Sequence, residues 1–129
     1  MTDRAGLPLA VLVSAGHEHE SRYFEPVMDA VRIGRRRRPD AVAADKGYSY
    51  VRVRQWCRAR GIKVVIPTRK DQRRRPGFDK ALYRERNVVE RCIGWLKECR
   101  RVATRYEKLA VHYAGFVQLA MIQRLLQAF

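Results

Sequence analysis

The sequence predicts a layered α/β domain with parallel pairing between its later strands. Three observations lead there. Short apolar runs alternate with stretches of helical periodicity, in the order β-α-β-α-β-α-α. The later runs are separated by enough chain for a crossover helix, which parallel strands require. A chain of 129 residues that is 47% hydrophobic can bury one modest core.

Each element has its own signal. Residues 7–16, LPLAVLVSAG, form an apolar run with β-branched Val11 and Val13, ended by Gly16, and predict a buried strand. Residues 21–33 carry Phe24, Val27, Met28 and Val31 at helical spacing, with Ser21 as the candidate N-cap. Pro26 belongs only in a first turn, which moves the expected helix start toward Phe24. Residues 34–39, GRRRRP, read as a basic loop. A short strand is expected over Ala41–Ala44, ending at Asp45, with Gly47 supplying a turn. Residues 49–60 predict a helix capped by Ser49 and closed by Gly61. Residues 62–69, IKVVIPTR, read as a strand stopped by Pro67. Residues 70–81 have no periodicity and read as a polar loop. Tyr83–Arg101 predicts one continuous helix, and a last amphipathic helix is expected from about Lys108 to Gln127.

The formal charge is +15, from 28 Lys and Arg against 13 Asp and Glu, mostly through arginine. A folded domain this basic points to nucleic acid, because the guanidinium fork suits phosphate. A membrane role is disfavoured, since no stretch approaches the roughly 18 unbroken apolar residues of a span. The N-terminus lacks the basic and apolar regions of a secretory signal. Cys57, Cys92 and Cys99 are odd in number and lack C-x-x-C spacing, which fits a reduced, cytosolic chain without a metal knuckle.

Two acids stand out among these bases. On a continuous helix, Tyr83, Arg86, Glu90 and Lys97 would fall within an arc of roughly 60°. An ordinary Arg–Glu pair on a solvated face accounts for that stripe. So does a functional face. Asp45 follows an apolar strand directly and precedes a glycine turn. Carboxylates at the C-terminal ends of strands in open α/β sheets face the ligand crevice. A turn-capping aspartate is the plainer alternative. A strand-end Asp and a helix-borne Glu suit a hard cation such as Mg²⁺, and a third carboxylate would allow two ions to clamp a phosphoryl displacement.

These residues resemble a known family. Tyr83-x2-Arg86-x3-Glu90-x6-Lys97 is similar to the signature of DDE transposases of bacterial insertion sequences, in the insertion-sequence-five-like group. ADKGYSYVRVR, residues 44–54, resembles the group's second-Asp segment, and TDRAGLPLAVLVSAGHEHES, residues 2–21, its first. The resemblance covers essentially the whole chain, in the family's order. It implies an RNase H-like mixed sheet with flanking helices, and Mg²⁺-dependent (or Mn²⁺-dependent) cleavage and joining of DNA ends. By that match Asp3, Asp45 and Glu90 are the metal-binding catalytic triad. Arg86, Lys97 and Lys46 would contact DNA, with Tyr83 supporting the end being cut. Family members carry roughly as much chain again before the first Asp, whereas Met1 and Thr2 alone precede Asp3 here. The expected domain, residues 1–129, is therefore partial: N-terminally truncated, its first strand missing.

The basic clusters Arg35, Arg36, Arg37, Arg38 and Arg73, Arg74, Arg75 add candidate DNA contacts on loops. His17 and His19 form an H-x-H whose metal role lacks further ligands at the right spacing, with Glu18 or Glu20 as a nearby acid. Trp56 and Trp95 read as core, and Cys92 and Cys99 as small core residues. The expected function is that of a transposase acting on insertion-sequence ends and target DNA in the cytoplasm, at the nucleoid. It would act within a longer or frameshift-fused protein, as a homodimer or with an upstream transposase half. The alternative is an inactive DNA-binding fragment or regulator of transposition.

Overall fold

The computed structural model describes residues 1–35 and 38–129. The chain gathers into two compact units, one formed by Glu18–Arg86 and the other by Met1–His17 with Asn87–Phe129.

The first unit holds the sheet. A 3₁₀ turn, Glu20–Tyr23, runs into α1, Phe24–Ala30. Strand β1, Ala41–Ala43, leads through a second 3₁₀ turn, Lys46–Tyr48, to α2, Val51–Ala59. Strand β2, Lys63–Val65, and α3, Lys80–Arg84, complete it. The strands pair in parallel, with Ala41 opposite Lys63 and Ala43 opposite Val65. The order strand, helix, parallel strand agrees with the α/β expectation. The strands are short because Asp45 and Pro67 stand just past their ends. Phe24, Met28, Val42, Val53, Cys57, Val65 and Ile66 are buried. Phe24 meets the Trp56 ring edge-on at 5.7 Å. Each such side chain stabilises by about 1.5–3 kcal/mol when fully buried.

Capping in this unit departs from expectation in two places. Ser21 does not cap α1, whose N-cap is Tyr23 without a side-chain bond; His19 caps the preceding 3₁₀ turn, its Nδ1 accepting the Ser21 N–H at 3.3 Å. Pro26 does fall in the first turn of α1, where its missing N–H costs nothing. Ser49 does not cap α2 either. It is fully buried, and its Oγ donates to Gln72 Oε1 at 2.6 Å while accepting from Arg54 Nη2 at 2.9 Å. A buried guanidinium needs acceptors more than an exposed helix end needs a cap. Gly61 does close α2. Its φ of +66° allows its own N–H to reach Arg58 O and the Ile62 N–H to reach Cys57 O. That pair of bonds is the Schellman ending.

The second unit is helical: α4, Asn87–Glu98, α5, Arg100–Ala103, and α6, Ala110–Leu126. Cys92, Val117 and Ala120 are buried, and the Tyr113 hydroxyl donates to Val102 O at 2.9 Å. Trp95 packs beneath the Arg124 guanidinium at 5.4 Å.

The strand expected over residues 7–16 does not form. The chain instead folds back on itself: Thr2 bridges Pro8 antiparallel, the Asp3 N–H donates to Leu7 O, and the Leu9 N–H to Met1 O. Gly6 makes the reversal possible with φ of +83°. A strand requires a neighbour for its backbone groups. Among the described residues, 11–16 have no such ladder, and Leu12 is 42% exposed.

The continuous helix expected over Tyr83–Arg101 is divided twice. It breaks between Arg84 and Asn87, where the Arg86 N–H turns back to Tyr83 O in a tighter i→i−3 bond. Asn87, Val88 and Val89 are all weaker helix formers than their neighbours. It breaks again at Cys99, whose backbone is extended. Among the described residues no helix is long and apolar enough to cross a membrane.

Candidate active site

Asp45 stands two residues past the last residue of β1, after Ala44, whose N–H extends the pairing to Val65 O at 3.3 Å. Its backbone is extended, and its Oδ1 accepts the Gly47 N–H at 2.8 Å, capping the turn Lys46–Tyr48. The turn-capping role and the strand-end position therefore coexist in one residue. The cap uses one carboxylate oxygen and fixes the direction of the group. Gly47 is glycine for a steric reason, because a Cβ there would come within 2.9 Å of Asp45 Oδ1.

Tyr48 lies beside this carboxylate. Burial, then the charges of Glu20 and Asp45, push its phenol above the ordinary tyrosine value, so it stays protonated at neutral pH. Of the two acids in the H-E-H-E segment, Glu18 accepts the Tyr23 hydroxyl, and Glu20 is the one near Tyr48. His19 has both ring nitrogens engaged, Nδ1 with Ser21 and Nε2 with the Tyr50 hydroxyl at 3.0 Å. That pairing makes His19 a structural residue.

In the helical unit, Asp3 Oδ1 accepts the Leu7 N–H at 2.8 Å and pins the N-terminal reversal. Gly6 of that turn lies against Val88, and Asp3 is among the charges acting on Cys92. Val88 and Cys92 share one face of α4. Glu90 is exposed and projects about 180° round the helix from the middle of that face. Lys97 is exposed on α4, while Tyr83 belongs to α3 and Arg86 to the turn that follows it. The four-residue stripe thus spans two helices rather than one. Arg86 stands over the Tyr83 ring at 5.6 Å.

A divalent ion needs its carboxylates converging from one side. Among the described residues, no group of three or more His, Cys, Asp or Glu side chains could hold a metal ion. Asp3 and Asp45 each accept a backbone N–H on one carboxylate oxygen.

The basic candidates are mostly where the sequence put them. Lys46, Arg35, Arg73, Arg74 and Arg75 are exposed on turns or loops. Arg38 is exposed and donates to Arg60 O at 2.6 Å. Arg36 and Arg37 lie outside the described residues. Three residues near the site have roles not expected from the sequence. Asp79 caps α3 by accepting the Leu82 N–H at 2.9 Å, and its other oxygen pairs with Lys63 Nζ at 2.7 Å. Arg54 is buried, and Phe78 packs against Tyr83. The Asp79 cap had a signal, an Asp just before a run of helix formers. Arg54 had none, since its burial depends on tertiary contacts.

A small parallel sheet ending in a turn-held carboxylate, in a chain of +15, defines a strongly basic α/β protein. Residues 1–125 match the transposase DDE domain family, and the chain belongs to that family. It is 34% identical over 125 residues to a Burkholderia cepacia protein assigned as the transposase for insertion sequence element IS402, covering 92% of this chain. It is 31% identical over 126 residues to a Brucella ovis protein assigned as the transposase for insertion sequence element IS6501, covering 93% of this chain. The chain spans 57% of the length of the first relative and 89% of the second. No solved structure matches the chain with significance. The family brings with it an expectation of DNA binding and of dependence on a divalent metal.

Proposed function

We propose that this chain is the catalytic part of an insertion-sequence transposase, with an RNase H-like fold, that cleaves DNA at the element's ends and joins them to target DNA. The observation that carries the reading is the Asp45 carboxylate, oriented by Gly47 just beyond the C-terminal end of a parallel strand. That is the place where α/β sheets bind ligands. Family membership over residues 1–125 and the charge of +15 support the same reading.

In this proposal Asp3, Asp45 and Glu90 are the carboxylates on which strand cleavage depends, and Mg²⁺ is the ion supplied. Cleavage adds the elements of water across a phosphodiester and leaves a 3′-hydroxyl. Joining exchanges one phosphodiester for another at that hydroxyl. Arg86, Lys97, Lys46 and the arginine loops hold the strand through its phosphates. Tyr83 supports Arg86 by presenting its ring to the guanidinium.

The test is incubation with Mg²⁺ and DNA that carries the element's terminal sequences, beside DNA without them. The proposal expects nicks at the ends and none in the control. Tight, salt-sensitive binding with no nicking under any divalent ion would contradict it.

A further inference from the structure

Within the Glu18–Arg86 unit lies a cavity of about 470 Å³ whose walls include Arg54, Arg58, Lys63, Arg75, Ile62 and Phe78. Resting on the proposal that this chain acts on DNA, we infer that this cavity seats one phosphate of a single-stranded DNA segment, with the neighbouring base against Phe78.

The charge distribution argues for an anion. Arg54 is only 9% exposed. Its Nη2 donates to Ser49 Oγ and Ile66 O, both at 2.9 Å, and to Pro67 O at 3.4 Å. These acceptors are all neutral, so they orient the guanidinium without cancelling its charge. Burial and the nearby Arg75 guanidinium both lower its pKa from the ordinary arginine value. A desolvated cation facing further cations is unfavourable until an anion arrives. Lys63 is offset by Asp79 at 2.7 Å. Arg54, Arg58 and Arg75 therefore leave the concavity positive, and a concave wall of one sign focuses its field. Phosphate oxygens match the guanidinium fork.

Shape and the apolar edge point to a single strand. A duplex is too wide to enter such a cavity, whereas its volume falls within the range of small-ligand sites, about 300–1,000 Å³. Phe78 is held against Tyr83, with ring centroids 5.3 Å apart. An aromatic face beside a cationic groove is the usual platform for an unpaired base. Of the exposed loop arginines among the described residues, Arg75 lines the cavity, which separates it from Arg73 and Arg74.

The test measures anisotropy of a labelled single-stranded oligonucleotide across a salt series, without divalent metal, using the 129-residue chain. Arg58→Gln, Arg75→Gln and Phe78→Ala are compared with Arg91→Gln and Arg100→Gln, which remove charge from the other unit. Circular dichroism confirms that each variant is folded. The expected result is a salt slope shallower by up to about 0.7 when a cavity arginine is removed, the share of the one phosphate seated there. Phe78→Ala weakens single-strand binding by roughly tenfold, with little effect on duplex. Equal losses in the comparison variants, or wild-type affinity in Phe78→Ala, would overturn the inference. So would competition by inorganic phosphate, at matched ionic strength, as effective as by unlabelled strand. Because the readout is binding without metal, it fails or succeeds independently of strand cleavage.

Discussion

The Asp45 carboxylate and the Gly47 N–H are joined by a 2.8 Å hydrogen bond, and the oxygen that accepts it occupies the space a Cβ on Gly47 would approach to 2.9 Å. The D-K-G turn is thus a device for aiming a carboxylate. Its backbone at Gly47 lies outside the left-handed region, so the glycine serves space rather than backbone freedom.

Gly47→Ala is therefore expected to keep the fold and displace the carboxylate. Misplacing a reacting group by about 1 Å costs on the order of 10²-fold in rate. End cleavage should fall by about that factor while DNA affinity and thermal stability stay near wild type. Unchanged cleavage in Gly47→Ala would remove the aiming role from this turn.

Gly61 presents the opposite case. Its φ is +66°, and an added Cβ would meet no atom within 4 Å. Only backbone strain then opposes Gly61→Ala, and a destabilisation of about 1 kcal/mol is expected. Denaturant unfolding checks this, with the slope against denaturant unchanged.

Asp79 links α3 to pH. The Lys63 ammonium, then the Leu82 N–H, hold its carboxyl below the ordinary aspartate value. A depressed folded pKa contributes stability that is complete above the unfolded value, about 3.9, and lost as pH falls through the folded one. Amide exchange at Leu82 should be faster in Asp79→Ala than in wild type at pH 7. The difference should close as the pH drops below the aspartate range.

The cysteines should differ in reactivity. Burial pushes the Cys57 thiol up to about 11 and raises that of Cys92, whereas Cys99 is only half-buried. The thiolate is the reactive form, so Cys57 stays inert at pH 8. A thiol reagent should label Cys99 first in the folded chain, and Cys57 and Cys92 only on unfolding.

What could be read from sequence follows the range of the interactions involved. The parallel pair, Ala41–Ala43 with Lys63–Val65, was legible because short apolar runs flanked a helix ended by Gly61. Asp45 was legible as a strand-end acid for the same local reason. The run at 7–16 has all the composition of a strand, but strand formation depends on a pairing partner elsewhere in space. Ser49 looks like a cap, and only the buried Arg54 explains why it serves otherwise. The division of the Tyr83–Arg101 helix arises from a balance of propensities too close for periodicity to resolve. It places the four-residue stripe on separate elements, which spacing on an ideal helix could not show.

The central claim is that Glu90 belongs to the machinery of strand cleavage. It is tested most directly by comparing wild type with Glu90→Gln on end-bearing DNA with Mg²⁺, reading nicking and binding in the same samples. Glu90 is exposed, so the isosteric change should leave the fold intact. The account predicts that nicking falls to background while binding persists. Nicking at the wild-type rate in Glu90→Gln would contradict it.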